Sequence, residues 1–268
     1  MAWLGKWSLA AAISAPVLAA ALIGVGTASG AGTDEDAAKS MLKAMSDYLA
    51  SQKTIAFDFD TNLGIVTADQ QKIDLASSGQ IVLNRPDKIM AVRKGGFADV
   101  ALTFDGKTLT VLNKTANLYA QGELPGTVDH LIDELRDTYN RPVPGANLLF
   151  SNVYEQLMPG VLNVKDLGSG VIGGVECDHL AFRNDQVDWQ IWIAQGSQPY
   201  PCRLVITSKQ VAGFPDYSVE LKNWKTGSAV ASADFSFKNA TNAKMADLKD
   251  LPDADELPDR FRVAGGAK

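Results

Sequence analysis

The stretch ECDHLAFRNDQVDWQIWI, residues 176–193, decides how the chain is interpreted, because it reads either as a reactive site or as two strands of a sheet. Apolar and polar residues alternate on both sides of Asn184-Asp185, a typical turn sequence. A hairpin with its turn at residues 183–187 and an even loop length has two distinct faces. One face carries Leu180, Phe182, Trp189, Ile191 and Ile193, and the other carries Cys177, His179, Ala181, Gln190 and Trp192. The stretch therefore predicts a structural β-hairpin with large side chains on both faces.

Cys177, Asp178 and His179 are residue types found in catalytic triads, but their adjacency argues against that role. Successive side chains of a strand point to opposite faces, so Asp178 cannot orient the neighbouring imidazole of His179. No other assembled set of nucleophile, base and orienting group stands out in the sequence. We therefore expect no catalytic residues and a protein that is not an enzyme.

Period-two alternation continues through most of the chain. Residues 54–121 alternate in this way, and Asp105-Gly106 predicts a tight hairpin between two of their strands. Strands are predicted again from Val161 to Phe237, with the last element ending near Ala240. Several strands carry apolar residues on both faces, which indicates that one face packs against something other than water.

Two segments show helical spacing instead. Residues 34–52 place apolar side chains three and four positions apart, and a helical insert is predicted at about 127–157. Within the insert, Thr127 could cap a first helix, and Leu148 to Leu157 suggests a second. Apolar positions of the first insert helix are Val128, Leu131, Ile132 and Leu135.

These patterns predict a mainly β (α+β) protein: a strongly curved antiparallel sheet that forms a half-open barrel, with helices covering its concave face. Residues 34–240 form this single domain. Residues 244–268 are acidic, interrupted by proline and poor in large apolar groups, so a mostly disordered tail is expected there.

The first thirty residues differ from the rest, because Lys6 is their only charge and a mostly alanine run extends from Ser8 to Val25. The small residues 27–30 that follow are typical of a signal-peptidase site. We therefore expect residues 1–30 to be a signal peptide and the mature protein to be periplasmic, in a Gram-negative bacterium. An uncleaved anchor is the poorer interpretation, because alanine is weakly apolar and Pro16 interrupts the run. After cleavage we expect no integral membrane segment.

Removal of residues 1–30 takes away one lysine and no acidic residue, so the net charge of −6 becomes −7. A nucleic-acid partner would require clustered Lys and Arg side chains, and the sequence has no such cluster. We expect no nucleic-acid partner.

Two motifs are weighed and set aside. Gly168-x-Gly170-x-x-Gly173 matches a dinucleotide fingerprint, but alternating residues of a strand follow it where that fingerprint requires a helix. Glycines that let a strand bend explain it better. The two cysteines and two histidines lack the close spacing of common zinc motifs, so we expect neither a metal site nor a cofactor.

Cys177 and Cys202 are a possible disulfide, because an exported protein folds under oxidising conditions. An intervening strand at residues 188–194 would place the two Cα atoms about 9.5 Å apart, beyond the roughly 7 Å that a bridge tolerates. A loop that folds back at Cys202 would remove this objection. The sequence leaves both states of the pair open.

Three segments carry a family resemblance: residues 177–183 (CDHLAFR), 187–193 (VDWQIWI) and 203–209 (RLVITSK). They resemble, in order and spacing, the predicted periplasmic family known as domain of unknown function 2092, over roughly residues 37–237. Cys202 departs from the basic residue usual at that position. More distantly, the chain resembles the LolA and LolB lipoprotein carriers. This resemblance implies a half-barrel with a helical lid over an apolar cavity for acyl chains, and it transfers no functional residue.

We expect a non-enzymatic periplasmic protein that holds an apolar ligand, such as an acyl chain, a lipid or a lipoprotein, in a half-barrel cavity. The alternative is an envelope sensor or interaction domain that has a packed interior and binds another protein. Alternation alone does not show which face is concave. The candidate cavity residues are Phe57, Phe59, Leu102, Phe104, Leu180, Phe182, Trp189, Ile191 and Ile193.

Overall fold

The computed structural model describes residues 31–141, 143–230 and 232–261. The predicted signal peptide lies outside the described residues. The chain begins with helix α1 (Ala31–Ser51), whose buried stripe follows the predicted spacing. Ala38, Leu42, Met45 and Leu49 form this stripe and are at most 1% exposed.

Within the described residues, twelve strands form one sheet. The first meander consists of β1 (Thr54–Val66), β2 (Lys72–Asn84), β3 (Lys88–Gly95), β4 (Asp99–Phe104), β5 (Thr108–Asn113) and β6 (Leu118–Glu123). Helices α2 (Val128–Asp137) and α3 (Val153–Leu157) follow. The second meander consists of β7 (Asn163–Ile172), β8 (Val175–Arg183), β9 (Val187–Ala194), β10 (Pro201–Ser208) and β11 (Asp216–Thr226), and the short β12 (Lys244–Met245) comes last.

The strand order is β12-β6-β5-β4-β3-β2-β1-β11-β10-β9-β8-β7, so the two meanders join where β1 pairs with β11. All neighbours are antiparallel except β12 and β6. The sheet is open, with β12 and β7 at its two ends. Val111 of β5 and Leu180 of β8 nevertheless share one apolar cluster with all three helices, because the sheet curves around it. The predicted half-open barrel with helices on the concave face is confirmed.

The hairpin predicted from residues 176–193 is confirmed as β8 and β9. Phe182 pairs with Trp189 and Leu180 pairs with Ile191, and the rings of Phe182 and Trp189 stack with centroids 3.9 Å apart. The face that carries these four residues is concave, since all of them lie in the main core. Cys177 and His179 lie on the convex face.

The predicted bend at the glycine motif is also confirmed. Gly168 has a positive φ of 81°, and the pairing of β7 with β8 shifts register between Asp166 and Ser169. Gly173 and Gly174 form the hairpin turn that leads into β8. A strand therefore follows the motif, and no helix begins there.

The helical insert forms as two pieces with a break that the sequence did not show. Thr127 caps α2 as predicted, by accepting a hydrogen bond from the His130 N–H at 3.2 Å. The predicted helix from Leu148 to Leu157 forms only over Val153–Leu157, because a 3-10 turn at Ala146–Leu149 is separated from α3 by extended backbone at Phe150. The Phe150 carbonyl accepts a hydrogen bond from the Arg85 guanidinium at 3.0 Å, which leaves it outside any helix.

The prediction of strands up to Phe237 is wrong beyond Thr226. Gly227 has a φ of 60° and begins a 3-10 turn, which ends β11. The ring of Phe237 packs against Tyr119 of β6 with centroids 5.0 Å apart.

The prediction of a mostly disordered tail is wrong for residues 244–261. Lys244–Met245 pairs with β6, and a 3-10 turn at Leu248–Asp250 follows. Leu251 is only 2% exposed and belongs to the main core. Residues 262–268 lie outside the described residues.

Candidate functional site: an apolar cavity under a C-terminal strap

An apolar cavity of about 70 Å³ lies between the concave face and the loop that precedes α3. The loop contributes most of residues 143–149, and Glu256 closes one side. The sheet contributes Phe57, Phe59, Ile81, Tyr217, Val219 and Leu221. The sheet residues are neighbours because Phe57 pairs with Ile81 across β2, and Phe59 pairs with Leu221 across β11.

The loop sits close to the sheet because of Gly145, whose φ of 78° is in the left-handed region. A Cβ atom at this position would lie 3.5 Å from the Tyr217 ring and 3.6 Å from Val219. The backbone therefore rests directly on β11 and forms one wall of the cavity.

Gly79 leaves room for the Phe59 ring beside the cavity. It pairs with Phe59 on one side and with Arg93 on the other. A Cβ atom at Gly79 would come within 2.4 Å of the Phe59 ring, so the ring lies over the glycine backbone. The apolar Phe59 and the cationic Arg93 thus face the same concave surface with only a glycine between them.

Residues 248–257, here called the C-terminal strap, cross this part of the concave face. Arg93 donates hydrogen bonds to the Ala254 and Asp255 carbonyls at 3.1 and 2.9 Å. Arg141 donates to the Asp255 carboxylate at 2.9 Å and to the Leu248 carbonyl at 2.7 Å. The strap is therefore held to the domain chiefly by two arginines and by the buried Leu251.

Two titratable side chains near the strap, Glu256 and Tyr217, are largely shielded from water. The Glu256 side chain is 13% exposed, and its carboxylate lies 3.7 Å from the Arg93 Nε, farther than a hydrogen bond. Burial raises the pKa of Glu256, an effect that the nearby Arg93 opposes. Burial also raises the pKa of Tyr217 well above its ordinary value. Glu256 borders both the apolar cavity and a smaller one lined by Arg93, so it is the wall between them.

Two of the nine candidate cavity residues, Phe57 and Phe59, line the cavity. Leu102 packs half-buried against the core, and the other six lie within it: Phe104, Leu180, Phe182, Trp189, Ile191 and Ile193. Helix α1 packs against β7 and β9. The alternation of Tyr217, Val219 and Leu221 could have added β11 to the candidates, whereas no sequence signal indicated Glu256.

The two cysteines lie together on the convex face with both thiols free. Cys177, Ala194 and Cys202 form a small buried cluster. Cys202 does not lie on a loop that folds back, because it belongs to strand β10, at a register shift between β10 and β9. Burial raises the pKa of both thiols.

His179 is a structural residue of strand β8. Its ring stacks on Trp192 with centroids 4.0 Å apart, and its Nε2 lies 3.0 Å from the Gln190 side-chain oxygen. Both partners are on the convex face, away from the cavity. Among the described residues, no cluster of three or more potential metal-ligating side chains occurs. No helix in the described part of the chain is long and apolar enough to cross a membrane.

One known protein family matches most of the chain. Residues 38–249 match the family described as predicted periplasmic protein (DUF2092). The chain belongs to this family. The DUF2092 protein is accordingly periplasmic, as the sequence indicated. No curated protein matches it in sequence.

Several solved structures are similar to this chain at low identity. The Mycobacterium tuberculosis lipoprotein LppX is 14% identical, with 71% of this chain and 96% of that chain covered and a TM-score of 0.43. The Pseudomonas aeruginosa MucA/MucB complex matches at 12% identity, 78% and 63% coverage and a TM-score of 0.44. A LolA superfamily protein from Nitrosomonas europaea matches at 10% identity, 70% and 92% coverage and a TM-score of 0.33.

Proposed function

We propose that this protein is a non-enzymatic periplasmic binding protein that holds an apolar chain between the concave face and the 143–149 loop. The supporting observation is the cavity itself, whose walls are the side chains of Phe57, Phe59, Ile81, Val219 and Leu221. Removing about 300 Å² of an acyl chain from water would contribute on the order of 7 kcal/mol before ordering costs. That is enough for reversible carriage.

The cavity of about 70 Å³ is the closed form of this site. Ligand pockets usually measure about 300–1,000 Å³, so a chain enters only if the loop or the strap moves away. The strap is held partly by polar contacts with Arg93 and Arg141, which water can replace when the strap separates from the domain.

Native mass spectrometry of gently purified protein tests this function. Co-purifying lipid in the wild type supports it, and bound mass should be lost in Ile81→Trp, which fills the cavity. Val82→Trp is the matched control, because Val82 follows Ile81 on β2 and points to the opposite face. Equal lipid loading of both variants, or failure of any acyl probe to bind the wild type and a strap-loosened variant, would disprove the proposal.

One observation favours a second candidate, an interaction domain. Strand β7 ends the sheet, and Leu167 and Val171 on it are 46% and 66% exposed. An apolar edge strand is a surface to which an extended segment of another protein can add. Replacing both residues by Lys should abolish capture of an envelope protein while leaving lipid loading unchanged. If captured proteins are the same with and without the two substitutions, the edge is not the interface.

A further inference from the structure

Arg93 lines the smaller cavity that adjoins the apolar one. It lies on the concave face beside the Phe59 ring, separated from it by Gly79, and its side chain is 16% exposed. An arginine in such a place needs acceptors, because leaving a guanidinium unpaired away from water is strongly unfavourable. In the closed form the strap supplies them through two backbone carbonyls, with the Glu256 carboxylate nearby but beyond hydrogen-bonding distance.

The strap therefore occupies the position that the polar end of a bound amphiphile would take. Glu256 presents a carboxylate at the end of an apolar wall, and it divides the apolar cavity from the cavity lined by Arg93. Moving the strap away would merge the two cavities and would expose Arg93 at the end of the apolar one.

We propose that Arg93 binds the carboxylate of a fatty-acid-like ligand and that the C-terminal strap is a lid that competes with this ligand for Arg93. This inference rests on the proposed carrier function and specifies its ligand class. The acyl chain lies along Phe57, Phe59, Val219 and Leu221, and its head replaces the strap at the guanidinium. Arg141 holds the lid through Asp255 and Leu248, so it controls access.

Binding of two fluorescent probes, parinaric acid and its methyl ester, tests this proposal. We expect the wild type to prefer the acid, and Arg93→Gln to reduce that preference about tenfold, the effect of losing one charge-assisted hydrogen bond. The ratio of the two dissociation constants is measured on one protein, so it does not depend on how firmly the strap is held. Arg203→Gln is the matched control, because Arg203 lies over Trp192 on the convex face.

A second variant tests the lid. Asp255→Ala removes the carboxylate that Arg141 binds but leaves the Arg93 contacts with backbone carbonyls, so both probes should bind more tightly and by a similar factor. The control is Asp247→Ala, whose carboxylate is 73% exposed and paired only loosely with Lys249 at 3.7 Å.

The outcomes separate the two proposals. If the ester binds but the acid is not preferred, or if Arg93→Gln leaves the ratio unchanged, the headgroup assignment is wrong and the carrier function stands. If Asp255→Ala does not tighten binding, the strap is not a lid. If neither probe binds the wild type or Asp255→Ala, the carrier function itself is wrong.

Discussion

The ring of Phe59 lies over the backbone of Gly79, where a methyl group would come within 2.4 Å of the ring and 2.0 Å of the Val92 carbonyl oxygen. This contact fixes one wall of the cavity, because Phe59 can lie flat only where its cross-strand neighbour has no side chain.

Gly79→Ala should therefore lower the free energy of unfolding by about 1–3 kcal/mol, the usual cost of overpacking a core. Chemical denaturation measures this change in the free energy of unfolding. Gly122→Ala is the control, since no atom lies within 4 Å of a Cβ at Gly122, and it should change stability little. Equal stability of the two variants would show that the Phe59 ring does not rest on Gly79.

Strap docking should weaken as the pH rises above the ordinary Glu256 value of 4.5. Burial raises the pKa of Glu256 when the strap is docked, so between the ordinary and the raised value the docked state binds more protons than the released one. Docking is therefore strongest below the ordinary value, and its advantage is lost as pH rises through the raised value. The nearby Arg93 opposes the rise in the pKa of Glu256 and so reduces the effect.

Hydrogen exchange of residues 248–257 measures this docking. Glu256→Gln cannot ionise, so its strap should be better protected at neutral pH and should lose the pH dependence. A strap that exchanges alike in both proteins at every pH would rule out this role for Glu256.

Replacing Arg85 should cost more stability than replacing an exposed arginine. Its side chain is 10% exposed, donates to the Phe150 carbonyl and lies 4.0 Å from the Asp129 carboxylate, so it ties the helical insert to the turn between β2 and β3. Arg85→Ala should destabilise the protein by about 1–3 kcal/mol, because it leaves that carbonyl unsatisfied. Arg183→Ala, which breaks a pair with Asp188 on a 58% exposed side chain, should cost less than about 1 kcal/mol. Thermal unfolding of both variants makes the comparison.

The two thiols should be inert in the folded protein. Cys177 and Cys202 are 0% and 2% exposed, and burial raises both pKa values, so little reactive thiolate forms at neutral pH. A thiol-specific reagent should modify neither in native protein and both after unfolding. A mass lower by two hydrogens in protein purified from the periplasm would instead demonstrate a bridge.

Much of the scaffold follows from the sequence, as β8 and β9 illustrate. Period-two alternation around Asn184-Asp185 determines which residues share a face, and the Thr127 cap determines where α2 begins. Alternation does not show which part of a face packs under a helix. Ile191 and Phe57 therefore look equivalent in sequence, although only Phe57 reaches the cavity.

The strap could not be predicted for a different physical reason. Its contacts are mostly backbone carbonyls that accept hydrogen bonds from Arg93, Arg141 and Asn113, residues more than a hundred positions away. Carbonyls are the same in every residue, so these contacts leave no pattern of side-chain types. The acidic and proline-containing composition of the strap is also that of disordered segments.

The position of β1 in the sheet has a consequence for how the chain folds. Each meander is built from neighbours in sequence, but β1 also pairs with β11, which ends at Thr226. The two halves of the sheet therefore join only when that distant strand arrives, and closing so long a loop is slow compared with forming a local hairpin. Formation of the β1–β11 pairing should therefore determine the rate of folding. Substitutions that weaken hairpins far from this pairing should speed unfolding and leave the folding rate unchanged.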